Sequence, residues 1–259
     1  MHNLLTAERI KLFRSKKLWI VLGILSLLPI NQVIDSFIKV KNGGELVQVI
    51  ETVINGATAI LAMKENGFTI ILVMSVFISF FIGEEFQHGT IRNALSLGRS
   101  RTHYYLSKFI TAALLSFVGV ILMTAIGMIS FTIVFGFGDV PGISEYYWYA
   151  FKTFSTLYLL ILSTVSVYVM ISFLTKTSGT SLVWSFVYTI ATGFGPGIFQ
   201  QTTHFKYVTY WFSESFLFYT YFVKPTEVAK YPEMVLVSVI TIVLSSMIGI
   251  LLFNRTDIK

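Results

Sequence analysis

Thirteen acids, four histidines and no cysteine make up this chain's stock of groups for acid–base, nucleophilic or metal chemistry. Without cysteine there is no thiolate nucleophile, no thiolate metal site and no disulfide framework. Glu85 and His88 form one Glu-x-x-His pair, whereas a di-iron carboxylate centre needs two such pairs and further carboxylates. His2, His88, His103 and His204 are scattered, with no His-Glu-x-x-His zinc motif among them. The adjacent acids Glu84 and Glu85 suggest a membrane protease, but such an enzyme keeps its acids and histidines around a metal within the membrane. Here they stand at the boundary of an apolar run. No G-x-x-x-x-G-K-[ST] phosphate loop is present. A membrane enzyme therefore stays an alternative class, marked by an activity that survives in the isolated chain without ATP.

The elements that must position these residues are set by composition. Of 259 residues, 54% are apolar and 12% charged, and mean hydropathy is +0.74. Soluble domains carry about 25% charged residues, so this chain cannot cover its own surface with polar groups. It is also too hydrophobic to be disordered. Six charge-free apolar segments, 18–34, 67–83, 109–138, 153–175, 177–199 and 234–254, are each long enough, or nearly so, to cross a bilayer as a helix. The third would reach about 45 Å as one helix and must tilt or protrude. The fifth is interrupted at Gly193–Gly197, where Pro196 removes a backbone donor. An outer turn is expected there, or a loop that begins one turn earlier.

Segments 46–63 and 205–223 are read as interfacial or re-entrant, because Glu51, Lys206 and Glu214 penalise insertion, with spanning by 205–223 as the alternative. With six spans, 12 of the 19 Lys and Arg residues fall on the side of the N-terminus. That excess places both termini in the cytoplasm. Making 46–63 a span would move Arg92, Arg99, Arg101 and Lys108 outside. Trp19, Tyr104 and Tyr105 mark the inner boundary, and Tyr146 to Tyr149 the outer one. The net charge of +6 is thus a topology signal; a nucleic-acid role would need a basic soluble module, and none exists. No small-residue cleavage site follows the first apolar run, so it is expected to be retained.

Residues 1–17 read as an in-plane helix on the inner surface. Leu5, Leu12, Phe13 and Trp19 share one side, with Lys11 and Arg14 opposite. The longest inner loop, 84–108, is the most polar stretch, with acids first and bases last. A short helix beginning near Glu84 and stopping near Gly98 would suit that order.

This loop resembles the first cytoplasmic loop of ABC-2-type transporter permeases. The matching positions are Glu84, Glu85, Gly89, Thr90, Arg92, Leu95, Ser96, Arg101 and Lys108. Glu8, Lys11, Arg14 and Leu18-Trp19 are similar to the family's opening. Leu97-Gly98-Arg99 departs from it, since many members carry a proline there. The resemblance implies an all-α membrane protein of six transmembrane helices. It implies an N-terminal elbow helix, a cytoplasmic coupling helix and outer re-entrant helices. It further implies two permease chains, the second a copy or a paralogue, working with separately encoded ATPase subunits in a bacterial cytoplasmic membrane. ATP and Mg would bind the partner, and this chain would hold no cofactor. Leu95-Ser96-Leu97-Gly98 looks superficially like an ATPase signature but lacks the rest of that domain. The absence of ionisable residues inside the spans also argues against proton or ion coupling, so the work must come from a partner.

The remaining signals concern pathway and cargo. Ser and Thr in the fourth and fifth spans, and the Ser245-Gly249 pair in the sixth, read as close helix packing; a channel would need a polar pore lining. The aromatics Tyr210, Trp211, Phe212 and Phe216, with Pro196, are either an interfacial belt or an outer gate. A pathway without buried charge suits an amphipathic peptide, such as a toxin or antimicrobial peptide, better than a hydrophilic ion. Lipid or drug export is the alternative.

Overall fold

The computed structural model describes residues 2–42, 55–60, 66–140, 142–200, 208–218 and 230–256. Among them the secondary structure is helical throughout. The helices are α1 (His2–Arg14), α2 (Lys16–Lys41), α3 (Gly67–Gln87), α4 (Thr90–Ser96), α5 (Arg101–Phe135), α6 (Tyr146–Thr175), α7 (Ser178–Gln200), α8 (Ser213–Phe218) and α9 (Tyr231–Arg255). A short 3₁₀ turn, Val208–Trp211, precedes α8.

The starts and stops follow local chemistry. Ser15 caps α2, its hydroxyl accepting from the Lys17 amide, and Ser100 caps α5 by accepting from the His103 amide. Gly136 ends α5 with φ of 78°, a conformation open to glycine. At the C-terminus of α9, Arg101 donates to the carbonyls of Phe253, Asn254 and Thr256 at 3.0, 3.1 and 2.6 Å. The last turn of a helix leaves such carbonyls without partners, and a cation there also meets the negative end of the dipole.

Five helices (α2, α3, α5, α6 and α9) are long and apolar enough to cross a membrane. α6 is the hub, packed against α3, α5, α7, α8 and α9. α2 and α9 are peripheral, and their outward faces expose rows such as Ile20, Ile24 and Leu27, or Val243, Met247 and Leu251. In water such rows are a liability; in hydrocarbon they are the expected surface. Small residues let the helices close up. A Cβ at Gly249 would lie 2.3 Å from the Tyr105 hydroxyl oxygen, and Ser245 bonds Ser166 at 2.7 Å, as the small-residue pair predicts.

Three expectations change. Gly193–Gly197 does not break the fifth apolar segment: α7 runs unbroken from Ser178 to Gln200 through Pro196. The proline removes the amide that would bond the Thr192 carbonyl, and the Ser215 hydroxyl of α8 donates to that carbonyl instead, at 2.6 Å. Residues 84–108 are not one loop. α3 carries Glu84 and Glu85 in its last turns, the short helix starts at Thr90, and α5 begins at Arg101. The acids thus sit at a helix C-terminus, the wrong end for the dipole, and lysines compensate them (below). The buried face of α1 is Leu4, Glu8 and Leu12, at four-residue spacing, whereas Phe13 and Trp19 are exposed. Segment 46–63 lies outside the described residues except for 55–60. There the amides of Gly56 and Ala57 donate to the carbonyls of Gly136 and Phe137. Segment 205–223 is described only over 208–218.

Candidate functional site

The starts of α2, α5 and α7 gather with the ends of α3, α6 and α9 at one end of the bundle. Lys17 pairs with Glu84, Ser178 bonds Gln87 at 2.9 Å, and Arg101 holds the end of α9. α1 lies across this end. It brings Glu8, on its buried face, against Lys108 in the second turn of α5. The Lys108 ammonium is fully buried, 2.5 Å from Glu8 Oε2 and 2.6 Å from Glu85 Oε2. Lys11 closes the figure, 3.0 Å from Glu85 Oε1 and 3.7 Å from Glu8 Oε1. The Tyr104 hydroxyl donates to Glu85 as well. The Lys108 ammonium also lies 4.3 Å from the Phe81 ring centroid and 5.6 Å from that of Tyr104, so aromatic faces replace part of its lost hydration.

Two carboxylates and two ammonium groups alternate, each acid touching both lysines. Buried charge is tolerated only when it is paired and hydrogen-bonded, and this cluster meets that condition. Burial alone would lower the Lys11 ammonium; Glu85 and Glu8 outweigh it and hold Lys11 above the ordinary lysine range. The cluster ties three elements that sequence distance separates: α1, the end of α3 and the start of α5.

From this base α4 projects. Gly89 turns the chain with φ of 67°. The Thr90 hydroxyl donates to the Glu85 carbonyl at 3.0 Å, fastening the first turn of α4 to α3. Ile91 is fully buried and anchors one face, with Ala94 and Leu95 packed beside it. The opposite face and the turn after it are exposed: Arg92, Asn93, Ser96 and Arg99, with Leu97 82% exposed. Ser96 spends its hydroxyl on the Arg92 carbonyl at 2.9 Å. Among the described residues Arg92 meets no carboxylate. A cavity of about 250 Å³ beside the root is lined by Lys11, Lys17, Glu84, Glu85, His88 and Thr90, with Ser15, Phe77 and Phe81.

The structure therefore brings Glu84, Glu85, Gly89 and Thr90 together, exposes Arg92 and Ser96, and half-buries Leu95. It sends Arg101 elsewhere, onto α9. Glu8 and Lys108 complete the cluster, and their pairing was not read from the sequence. One signal was present: Glu8 stands between Leu4 and Leu12 at helical spacing, so burying that stripe must bury an acid. No group of three or more His, Asp or Glu gathers among the described residues to hold a metal.

At the other end, Tyr210 stacks on Phe216 with centroids 5.7 Å apart. Lys230 donates to the Tyr210 hydroxyl at 2.8 Å. Trp211 is exposed and Phe212 half-buried, but Phe216 is fully buried in the core, away from any surface that cargo could touch. Pro196 sits inside α7. Glu214, which sequence reading weighed only as a charge against insertion, is fully buried and accepts from Thr164 at 2.8 Å.

No curated protein matches the chain. The family model of the ABC-2 family transporter protein matches residues 4–192, which takes in α1, the charged cluster, α4 and the hub helix α6. With five apolar helices of membrane-crossing length behind that match, the chain is a multi-pass membrane protein and belongs to the ABC-2 transporter family.

Proposed function

We propose that this chain is the six-span permease subunit of an ATP-driven exporter, with α7 as the sixth crossing and both termini in the cytoplasm. α7 supports that reading by its 23 residues without a charged side chain. At about 1.5 Å per residue it is about 34 Å long, enough for a bilayer core. Two copies, or one copy and a paralogue, work with separately encoded ATPase subunits in a bacterial cytoplasmic membrane. ATP and Mg bind on those partners.

The observation that carries the reading is the build of α4. Its root is fixed by Thr90, Ile91 and the Glu85 cluster, while Arg92, Ser96 and Leu97 are exposed to a partner. α1 is the elbow helix and α4 the coupling helix. A partner's ATP-driven movement presses on Arg92 and Leu97. Because Glu85 joins Lys108 and Lys11, the push passes at once to α3, α5 and α1. Rigid helices carry the shift to a pathway between the two permease chains. The cargo is an amphipathic peptide, such as a toxin or antimicrobial peptide, whose export protects the cell; a lipid or drug is the second reading. An amphipathic peptide is favoured because the buried interior is lined mainly by apolar and hydroxyl side chains, with one acid, Glu214, held by Thr164 midway along α6.

Gentle isolation of the chain from its native membrane tests the proposal. A stoichiometric ATP-binding subunit should accompany the wild type and be lost with Leu97→Asp and Arg92→Glu, while the variant chains remain inserted. A chain that comes out without an ATPase refutes the reading.

A further inference from the structure

Beside the charged cluster, where α1 meets α2 and α5, lies an apolar groove of about 470 Å³. Three helical stripes line it: Leu5, Arg9 and Leu12 with Thr6 and Phe13 on α1; Leu18 and Leu22 on α2; Thr111, Leu114, Leu115 and Val118 on α5. The helix spacing opens it laterally, since Phe13, Leu114 and Val118 are 60%, 59% and 49% exposed. Arg9 is the one charged residue of the lining.

Three nearby lysines are already occupied. Lys11 is held by Glu85 and Glu8, Lys17 by Glu84, and Lys108 by Glu8 and Glu85. Among the described residues Arg9 meets no carboxylate, although Glu8 is its neighbour in sequence. Glu8 turns inward to Lys108 and Arg9 outward to the groove. An exposed guanidinium at the rim of a greasy cleft matches one molecule type in two parts. The planar donors suit a phosphate, and the cleft suits a hydrocarbon chain. A free anion would leave the cleft empty, and a neutral lipid would leave Arg9 without an anionic partner.

We infer that this groove is a binding site for an anionic phospholipid of the phosphatidylglycerol type, with its phosphate on Arg9 and an acyl chain between α1, α2 and α5. The inference rests on the topology proposed above, which puts α1 at the negatively charged inner leaflet. The bound lipid fills the junction of α1 and α5 beside the Glu8–Lys108 clamp. The lipid thereby sets how firmly α1 holds to α5, and anionic lipid content becomes a control on coupling.

Delipidated full-length chain in mild detergent, titrated with phosphatidylglycerol or with phosphatidylcholine of the same acyl chains and read by native mass spectrometry, tests this. Wild type should prefer phosphatidylglycerol. Arg9→Gln should weaken phosphatidylglycerol binding about fivefold, the effect of one basic residue near an anionic surface, and leave phosphatidylcholine unchanged. Arg14→Gln, on the same helix but outside the groove lining, should change neither. Leu114→Trp, at an exposed lining position, should reduce both by crowding the cleft. Equal binding of the two lipids by wild type, or an Arg14→Gln effect equal to that of Arg9→Gln, overturns the site. The measurement needs no ATPase, so a failed lipid site and a failed motor assignment are told apart.

Discussion

Lys108→Met is the sharpest test of the charged cluster. Lys108 is fully buried and Glu8 nearly so, and the substitution strands two carboxylates that share its ammonium. Removing one partner of a buried ion pair costs about 3–5 kcal/mol. Glu85 keeps Lys11 and the Tyr104 hydroxyl, but Glu8 keeps only Lys11, at 3.7 Å. The loss thus falls mainly on one carboxylate, which points to the lower end, about 3 kcal/mol. For a chain of this size each kcal/mol moves the melting temperature by about 2–4 °C, so a drop of about 6–12 °C is expected. Tryptophan fluorescence during heating in a fixed detergent would read it. Limited proteolysis should show residues 1–15 cut faster, because the clamp on α1 is gone. The double variant Glu8→Met/Lys108→Met removes the stranded charge and should recover at least half of the loss. A Lys108→Met melting temperature within about 2 °C of wild type, or strictly additive single and double variants, would refute the idea that the pair is a clamp.

Two further outcomes follow from local chemistry. Ser215→Ala leaves the Thr192 carbonyl without a donor and should cost about 1–3 kcal/mol. Adding Pro196→Ala restores an amide at the right place in α7, so the double variant should melt above Ser215→Ala alone; no recovery would show that another group serves that carbonyl. Lys11 supplies a pH dependence. Its folded-state pKa is raised above the ordinary 10.5, so its contribution is fully present below that value and fades as pH rises through the folded pKa. The melting-temperature gap between wild type and Lys11→Gln should be constant through neutral pH and narrow above about 10.5. A gap that closes between neutral pH and 9 would contradict the contact with Glu85.

The membrane character and most of the helices were legible in the residues, because charge-free runs of this length have few other folds open to them. Segment 234–254 lies within α9, and segment 153–175 lies within α6, which starts seven residues earlier at Tyr146. Boundaries failed where a polar stretch continues a helix. Glu84 and Glu85 read as the beginning of something, whereas lysines from α1, α2 and α5 neutralise them and let α3 run on to Gln87. The break expected at Gly193–Gly197 failed for a related reason. Proline disrupts a helix through an unpaired carbonyl, and Ser215, more than twenty residues away, satisfies it. Glu85, Gly89, Thr90 and Arg92 were proposed for coupling from pattern, and the structure places the first three at the root of α4 and Arg92 on its exposed face. The Glu8–Lys108 pair was not, since a contact across 100 residues leaves no local trace. The aromatic set fared unevenly, because Tyr210, Trp211, Phe212 and Phe216 look alike in composition and differ only in which way a short helix turns them.

The alternation of Glu8, Lys108, Glu85 and Lys11 has an electrical consequence. Its two negative and two positive charges sum to zero, and they are held together. Carrying one unit of charge through the full membrane potential would cost about 2.3 kcal/mol per 100 mV. A displacement of the whole cluster during transport therefore moves no net charge through that field. The cluster is electrically silent as a unit, and its own charges add no cost to its movement in an energised membrane.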